Sequence, residues 1–437
     1  MSNIIGKDGR LFAEQKPGAD PAAFRVDNTS DAYYNSEYYK AHKDKILPVP
    51  KPRINPPRMN LADVLGDSMT QAIQSSRKIS FHAVGDTGAT KVGHLLDEQS
   101  VAHMMAADVE AGGAGAPAFL FILGDLIYQF GEAKYYYDQF YDPYRIYDRP
   151  IFAIPGNHDG VVYGDTATSK APPSLEAFLR NFCAAKSGSS PDAGGLMRST
   201  MTQPGVYFTL DAPMVSIIGL YTNVLEGPGV ISSQGSNYPK VGDAQLQFLE
   251  AELARLKPSR LAGERAVLLA VHHPPLSADA KHGGSTGISN DIDTACQKAG
   301  LWPDAILCGH AHLYQRFTRR VENQDIPYVV SGSGGYNAKA HPQGQIPKAP
   351  FKSGDVTMEI DPVIEYGYLT VTVDMTSEAK RMTIAFNATK SGTSMKPVRN
   401  LDHVTVDLAA HQIVKAQRAV KPALKKKSST SRRRPGR

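Results

Sequence analysis

The stretch FLFILGDLIY, Phe119 to Tyr128, places a short apolar run directly before Asp125 and, three residues later, Tyr128. An apolar run of this length is typical of a buried strand. The carboxyl end of that strand would expose a carboxylate that could bind a metal ion. The stretch therefore predicts a core strand of an α/β fold with a candidate ligand at its end.

Candidate metal ligands also follow four further apolar runs. They are ISFHAVGDTG with Asp86, PIFAIPGNHD with Asn157 and His158, AVLLAVHHPP with His272 and His273, and DAILCGHAHLYQR with His310 and His312. Ligands gather outside the carboxyl ends of strands in open α/β sheets. We therefore expect these side chains to converge, although the outermost lie more than 200 residues apart. A glycine precedes most of these groups and permits a tight turn that points the next side chain into the site.

The residue types at these strand ends suit a metal centre. Carboxylate, phenolate and amide oxygens together with imidazole nitrogens form a hard-to-borderline ligand set that favours Fe, Mn or Zn. The donors exceed the needs of one four-coordinate ion, whereas two ions that share a carboxylate use them all. Two metal ions about 3.5–4 Å apart are the usual arrangement for in-line attack at phosphorus. The sequence therefore predicts a binuclear metallohydrolase.

The order of the motifs resembles that of the purple acid phosphatase branch of the calcineurin-like metallophosphoesterases. The shared motifs are DxG, GDxxY, GNHD, a strand ending in His, GHxHxYxR and SGSGGY, from about residue 86 to 336. Most of the superfamily has a histidine in the first motif, but here Asp86 is followed by Thr87 and Gly88. Tyr128 matches the tyrosine that the purple enzymes use in its place. An anionic phenolate favours a trivalent ion more than a neutral imidazole does.

The resemblance implies a fold and a ligand set. The fold is an α/β protein, a metallophosphoesterase-type four-layer α/β/β/α sandwich with two mixed sheets. The first ion, Fe³⁺, would be held by Asp86, Asp125, Tyr128 and His312. The second ion, Fe²⁺, Zn²⁺ or Mn²⁺, would be held by Asp125, Asn157, His272 and His310. Asp125 would bridge the two ions.

The resemblance also implies catalytic residues. His158 matches a residue that hydrogen-bonds phosphate or the leaving group, and Asp159 would orient it. His282, ten residues past His272, matches a substrate-contacting histidine of plant-type relatives. The pattern H-x-P favours His272 over His273 as the ligand. By alternation its neighbour points to the other face, though a bulge could reverse this.

The expected reaction is hydrolysis of phosphate monoesters by attack of a metal-bound hydroxide, with His158 assisting the leaving group. An alternative keeps the metals but makes the substrate a diester, such as a cyclic nucleotide or a phospholipid headgroup. The segment YYYDQFYDPYRIY, residues 135–147, could stack against a base or could simply pack in the core. A third hypothesis is a polyanion-binding protein without catalysis, but the complete ligand set weighs against it.

The chain is predicted to have three parts. Residues 1–76 form an N-terminal extension rich in Pro, Asn and Asp, 77–392 form the catalytic domain, and 393–437 form a C-terminal segment. Within the catalytic domain, DAQLQFLEAELARL predicts a helix that Asp243 could cap. GYLTVTVDM and AKRMTIAFNAT predict two strands of an antiparallel hairpin. No β-sandwich domain is seen before the catalytic part, so the oligomeric state stays open.

Composition excludes several classes of protein. The 437 residues are 41% hydrophobic and 21% charged, which is typical of a globular domain. The apolar runs fall far short of the roughly 18 residues that a membrane span needs. The chain starts without a signal-peptide pattern, which predicts a cytoplasmic location. Three scattered cysteines, Cys183, Cys296 and Cys308, predict core thiols rather than disulfides.

The net charge of +5 is unevenly distributed. Residues 415–437 contain ten Lys or Arg and no acid, so the remainder carries 5 − 10 = −5. The composition of this tail cannot build a core, which predicts disorder. A solvated terminus without a specific partner is the favoured interpretation, and a weak contact with a polyanion such as nucleic acid or a membrane surface is the alternative.

Overall fold

The computed structural model describes residues 23–113, 115–164, 168–337, 348–376, 380–390 and 396–414. The basic tail, with its predicted disorder and polyanion contact, lies outside the described residues. The helices are α1 Asp31–Tyr34, α2 Glu37–His42, α3 Ala62–Leu65, α4 Asp67–Ser76, α5 Val92–Glu110, α6 Asn157–Gly160, α7 Glu176–Phe182, α8 Ala244–Leu261 and α9 Thr286–Ala299.

The strands belong to two mixed sheets. They are β1 Arg58–Asn60, β2 Lys78–Val84, β3 Pro117–Ile122, β4 Ile151–Ala153, β5 Phe208–Ala212, β6 Val215–Leu220, β7 Ala266–Val271, β8 Ala305–Cys308, β9 Tyr314–Val321, β10 Gln324–Ser331, β11 Phe351–Ser353, β12 Val356–Met358, β13 Gly367–Asp374, β14 Arg381–Ala388, β15 Val398–Asp407 and β16 Gln412–Ile413. The nine-stranded sheet has the order β1-β5-β6-β7-β8-β10-β9-β12-β11. The seven-stranded sheet has the order β16-β15-β14-β13-β2-β3-β4.

The five strands predicted to carry ligands are β2, β3, β4, β7 and β8. The first three are parallel neighbours in the seven-stranded sheet, and the last two are parallel neighbours in the nine-stranded sheet. Parallel neighbours end at the same edge, so each sheet presents its ligand-bearing loops together. The fold thus supplies ligands from two sheets at one place.

Apolar side chains hold the two sheets face to face. Phe81 and Phe121 of the seven-stranded sheet share a buried cluster with Leu268 and Leu307 of the nine-stranded sheet. Helix α5 packs on the outer face of one sheet, against β3 and β13, and α8 packs on the other, against β6 and β7. The predicted four-layer α/β/β/α sandwich is therefore confirmed.

The predicted helix and hairpin are both present. Helix α8 buries Leu249, Leu253 and Leu256, and β13 pairs antiparallel with β14. Asp243 stands at the N-cap position of α8, as predicted, but its side chain makes no capping hydrogen bond with the helix. Its carboxylate instead accepts a hydrogen bond from the backbone N–H of Ser233, 2.9 Å away. All three cysteines are free and buried, as predicted.

The sheets extend beyond the predicted catalytic domain at both ends. Strand β1, from the predicted N-terminal extension, pairs in parallel with β5. Strand β15 pairs with β14, so the seven-stranded sheet continues past the predicted boundary at residue 392. In the described part of the chain, no helix is long and apolar enough to cross a bilayer.

The N-terminal segment packs against the loop that follows β6. Tyr33 of α1 and Tyr39 of α2 share a buried cluster with Leu225 and Tyr238. Further along, the backbone of Leu47 exchanges two hydrogen bonds with the side chain of Asn223, at 3.1 and 2.8 Å. The segment therefore holds the loop from 222 to 241 in place.

The packing predicts different costs for two Leu→Ala substitutions. Leu268 is fully buried between the sheets, whereas Leu96 on α5 is 57% exposed. Leu268→Ala should lower the free energy of unfolding by about 2–5 kcal/mol, because it removes apolar contact and leaves a cavity. Leu96→Ala should change it by less than about 0.5 kcal/mol. Urea unfolding measures both, and similar losses in the two variants would contradict this packing.

Candidate metal centre

The loops after the strands turn sharply at the candidate ligands. Asp86, Asp125 and His310 have backbone φ angles of 59°, 54° and 67°. Left-handed φ in a non-glycine residue costs about 1–3 kcal/mol and is concentrated at functional sites. The preceding glycines give the turns room, since a Cβ on Gly124 would lie 2.5 Å from Nδ1 of His272.

Hydrogen bonds join the loops of the two sheets. The carboxylate of Asp86, after β2, accepts from the backbone N–H of His310, after β8, at 2.8 Å. The carboxylate of Asp125, after β3, accepts through Oδ1 from the backbone N–H of His158, after β4, at 2.9 Å. Each carboxylate thereby fixes a neighbouring loop and keeps its other oxygen for the site.

The first group of atoms surrounds the hydroxyl of Tyr128. Its Oη lies 2.9 Å from Oδ1 of Asp86, 2.8 Å from Oδ2 of Asp125 and 3.3 Å from Nε2 of His312. A hydroxyl has one proton and can donate to only one of them at a time. We call Asp86, Asp125, Tyr128 and His312 the Tyr128 group. The oxygen and nitrogen atoms of this group have lone pairs that could bind a cation.

The second group of atoms surrounds the amide oxygen of Asn157. Its Oδ1 lies 3.0 Å from Nε2 of His272 and 3.1 Å from Nδ1 of His310. The other ring nitrogens face backbone carbonyls, of Leu123 and of Glu226, at 2.8 Å each.

Those carbonyls are acceptors, so in each neutral ring the proton lies on the outer nitrogen and the lone pair points inward. Nε2 of His272 also lies 3.3 Å from Oδ2 of Asp125. We call Asp125, Asn157, His272 and His310 the Asn157 group. Like the Tyr128 group, it is a set of lone pairs suited to a cation.

The two groups share one carboxylate, and all their members are buried. Donor atoms of Asp86, Asp125 and His272 all lie within 4.8 Å of one another. Each of these three residues is at most 1% exposed. Asp125 therefore lies between the two groups, and its role as a bridging ligand stays a prediction.

The buried charges perturb one another. Burial, reinforced by Asp125, raises the pKa of Asp86 to about 7. Burial alone would lower the pKa of His272, but the Asp125 carboxylate raises it to about 9. Burial and the neighbouring histidines lower the pKa values of His310 and His312. The site thus favours positive charge beside Asp125, and a cation would take the place of the extra proton on His272.

His273 belongs to the support of the site. Its Nδ1 lies 2.6 Å from Oγ1 of Thr222 and its Nε2 lies 2.5 Å from the carbonyl oxygen of Leu225. These contacts tie β7 to the loop after β6. Of the two neighbouring histidines, His272 therefore faces Asn157, and His273 faces the loop after β6.

The predicted catalytic residues also lie at the centre. The ring of His158 packs 4.3 Å from that of Tyr128, centroid to centroid. The ring of His282 lies 4.8 Å from that of His310 and 4.9 Å from that of His312.

The carboxylate of Asp159 binds backbone groups of two loops. It accepts hydrogen bonds from the backbone N–H groups of Gly156, Leu126 and Ile127, at 2.8, 3.1 and 3.2 Å. These bonds hold the loop that carries His158, and the predicted orienting role of Asp159 stays a prediction.

Three residues of the site are absent from the sequence prediction. Tyr336 stacks on Tyr128 with ring centroids 3.6 Å apart and planes 5° from parallel. Gln139 accepts a hydrogen bond from the backbone N–H of Tyr128 at 2.6 Å. Glu226 contacts Asn157 and His158. The SGSGGY motif contains Tyr336, but no spacing pattern marks the other two.

The tyrosine-rich segment packs in the core. Tyr136, Tyr144 and Tyr147 are fully buried in the large apolar cluster beneath the site. The structure therefore supports core packing for these three tyrosines, whereas Tyr137 is 38% exposed. Gln139 in the same segment contacts the site through the backbone N–H of Tyr128.

Comparison with known proteins places the chain in a family. Residues 79–314, more than half of the chain, match the calcineurin-like phosphoesterases, so the chain belongs to that family. No curated protein sequence matches it. Membership indicates a phosphoric ester hydrolase, and the buried Asp86, Asp125 and His272 indicate a centre for divalent metal ions.

Several solved structures are similar in fold. GAP50, the anchor in the inner membrane complex of Plasmodium, is 14% identical, with a TM-score of 0.47, 74% of this chain covered and 88% of that one. Purple acid phosphatase PPD1 from yellow lupin seeds is 17% identical, with a TM-score of 0.49 and coverage of 76% and 54%. A dimetal phosphatase from Danio rerio is 10% identical, with a TM-score of 0.41 and coverage of 74% and 98%.

The geometry predicts that a single methyl group disrupts metal binding. A Cβ on Gly156 would lie 2.1 Å from Oδ1 of Asp125, whereas one on Gly93 in α5 would have no atom within 4 Å. Gly156→Ala should therefore displace the shared carboxylate and lower the metal content of the purified protein, while Gly93→Ala should leave it unchanged. Elemental analysis of both variants measures this. Full metal content in Gly156→Ala would show that Asp125 is not at the centre.

Proposed function

We propose that the protein is a binuclear metal-dependent phosphatase that hydrolyses phosphate monoesters. One observation carries the proposal: Oδ2 of Asp125 lies between the two groups, 2.8 Å from Oη of Tyr128 and 3.3 Å from Nε2 of His272. A shared carboxylate is what a pair of adjacent ions requires. The family of the chain supports the reaction class.

The two groups suit different ions. The Tyr128 group offers two carboxylates, one imidazole and a tyrosine hydroxyl. If the hydroxyl bound the ion as a phenolate, the set would favour Fe³⁺ by charge and hardness. The Asn157 group offers one carboxylate, one amide oxygen and two imidazoles, which favour Fe²⁺, Zn²⁺ or Mn²⁺. When bound, such a pair lowers the pKa of a water molecule and offsets charge on a phosphoryl oxygen.

The histidines beside the two groups are placed to handle the ester oxygens. Nδ1 of His158 lies 2.8 Å from the carbonyl oxygen of Gln129, which leaves Nε2 directed toward Glu226. Nε2 of His282 faces the same carboxylate. Two imidazole nitrogens thus converge next to the metal-binding groups. In this account they hydrogen-bond the phosphate, and His158 gives a proton to the leaving oxygen.

The walls of the site favour a monoester. Nζ of Lys281 lies 3.4 Å from Oε1 of Glu226, so a third N–H donor joins the two imidazoles. Several donors at one point suit the extra charge of a monoester. A diester with a base would need a stacking wall, and the buried tyrosine-rich segment does not provide one.

Removing the shared charge should abolish activity. Asp125→Asn keeps the shape of the side chain but offers a neutral amide to both ions. Hydrolysis of a phosphate monoester should fall by on the order of 10³-fold, because metal stabilisation is worth several kcal/mol and each 1.36 kcal/mol is tenfold. Asp138→Asn, at an exposed carboxylate, is the matched control and should keep full activity. If both variants retained wild-type rates, the binuclear proposal would be wrong.

The Tyr128 assignment predicts a colour. A tyrosinate bound to Fe³⁺ gives a charge-transfer band in the visible spectrum of the concentrated protein. Tyr128→Phe removes Oη but keeps the ring that stacks on Tyr336, so the band should disappear from a folded protein. Tyr137→Phe, at a side chain that is 38% exposed, should keep the band. An active wild-type protein that is colourless and free of iron would overturn the ferric assignment.

A further inference from the structure

Glu226 lies at the junction of the metal-binding groups and the candidate catalytic histidines. It follows β6, in the loop that leads to α8, and is only 6% exposed. Its backbone carbonyl accepts from Nε2 of His310 at 2.8 Å, and its Oε2 accepts from Nδ2 of Asn157 at 3.3 Å. One residue thus contacts two members of the Asn157 group.

The carboxylate of Glu226 also faces the other side of the site. Oε2 lies 3.7 Å from Nε2 of His158. Oε1 lies 3.7 Å from Nε2 of His282 and 3.4 Å from Nζ of Lys281. Each oxygen therefore has nitrogen neighbours, and the carboxylate lies between the two imidazoles.

We propose that Glu226 is a positioning residue, which directs the donor atoms of Asn157 and His310 at the metal centre and holds His158 and His282 for the leaving oxygen. The inference rests on the proposed phosphatase function. It adds a residue that acts through its neighbours and that no sequence motif marks.

Glu226 determines which side-chain atom of Asn157 faces the metal-binding group. An amide can present either an oxygen or an N–H group to a cation, and only the oxygen binds it. The carboxylate of Glu226 accepts a hydrogen bond from Nδ2 of Asn157 and so fixes the orientation of the amide. Oδ1 of Asn157 then faces the two histidines. The carbonyl of Glu226 selects the His310 tautomer in the same way. Such outer partners commonly affect metal affinity or activity by about 10–100-fold.

The loop that carries Glu226 is fixed on both sides. His273 contacts Thr222 and Leu225 from β7, and the backbone N–H of Val230 donates to the carbonyl of Thr222 at 2.9 Å. The N-terminal segment contacts Asn223 from the other side. Glu226 is therefore held by packed neighbours, which a positioning role requires.

A leaving-group comparison tests the proposal. Glu226→Gln keeps the size of the side chain and removes its charge. Help from His158 matters most when the leaving oxygen is strongly basic, since proton transfer contributes roughly 10²–10⁴-fold to such steps. In Glu226→Gln, kcat for an alkyl phosphate such as glycerol phosphate should fall by about 10²-fold, and kcat for nitrophenyl phosphate by less than about 10-fold.

Two further variants complete the comparison. Glu226→Asp keeps the charge and should recover part of the alkyl phosphate rate. Glu250→Gln, at a partly exposed carboxylate paired with Lys298, should behave like the wild type. A purely structural role for Glu226 would lower both rates alike, so equal losses with the two substrates would overturn the proposal.

A binding measurement separates this inference from the proposed function. Zn²⁺ titration of the metal-depleted protein, followed calorimetrically, should show about 10–100-fold weaker binding in Glu226→Gln than in the wild type. This holds even if the wild type hydrolyses neither ester, an outcome that would refute only the phosphatase proposal. Unchanged Zn²⁺ affinity in Glu226→Gln would refute the positioning role.

Discussion

Oδ2 of Asp125 faces members of both groups at once, and the rest of the site is arranged around that shared oxygen. Tyr128 and His272 approach it from two sides, while the backbone N–H of His158 fixes the other oxygen of the carboxylate. Buried acceptors with too few protons are costly unless a cation satisfies them. The buried Asp86, Asp125 and His272 could therefore hold a metal ion, and the lone pairs on either side of Asp125 are the basis for the proposal of two ions.

The fold explains how these atoms meet. Strands β2, β3 and β4 deliver Asp86, Asp125 and Asn157 from one sheet, and β7 and β8 deliver the histidines from the other. The apolar layer between the sheets keeps the two edges in register. Left-handed turns at Asp86, Asp125 and His310 then direct the side chains inward. The cost of these turns is offset by the packing of the whole sandwich.

Prediction from sequence succeeded where the signal was local. The apolar runs that precede glycine and a polar ligand revealed the five strands, and the spacing from Asp125 to Tyr128 indicated that both would face one site. Gln139 and Glu226 could not be predicted, because they come from segments without a spacing pattern and act through contacts between distant parts of the chain. The backbone contacts of Asp159 could not be predicted for a similar reason, since adjacency to His158 did not show that backbone amides would bind its carboxylate.

In the proposed centre, Asp125 lies between two metal ions. Anomalous X-ray diffraction from crystals of the metal-loaded protein would locate these ions. We expect two peaks about 3.5–4 Å apart, one within the Tyr128 group and one within the Asn157 group, with the Asp125 carboxylate between them. A single peak, or two peaks away from Asp125, would show that Asp125 does not bridge two ions.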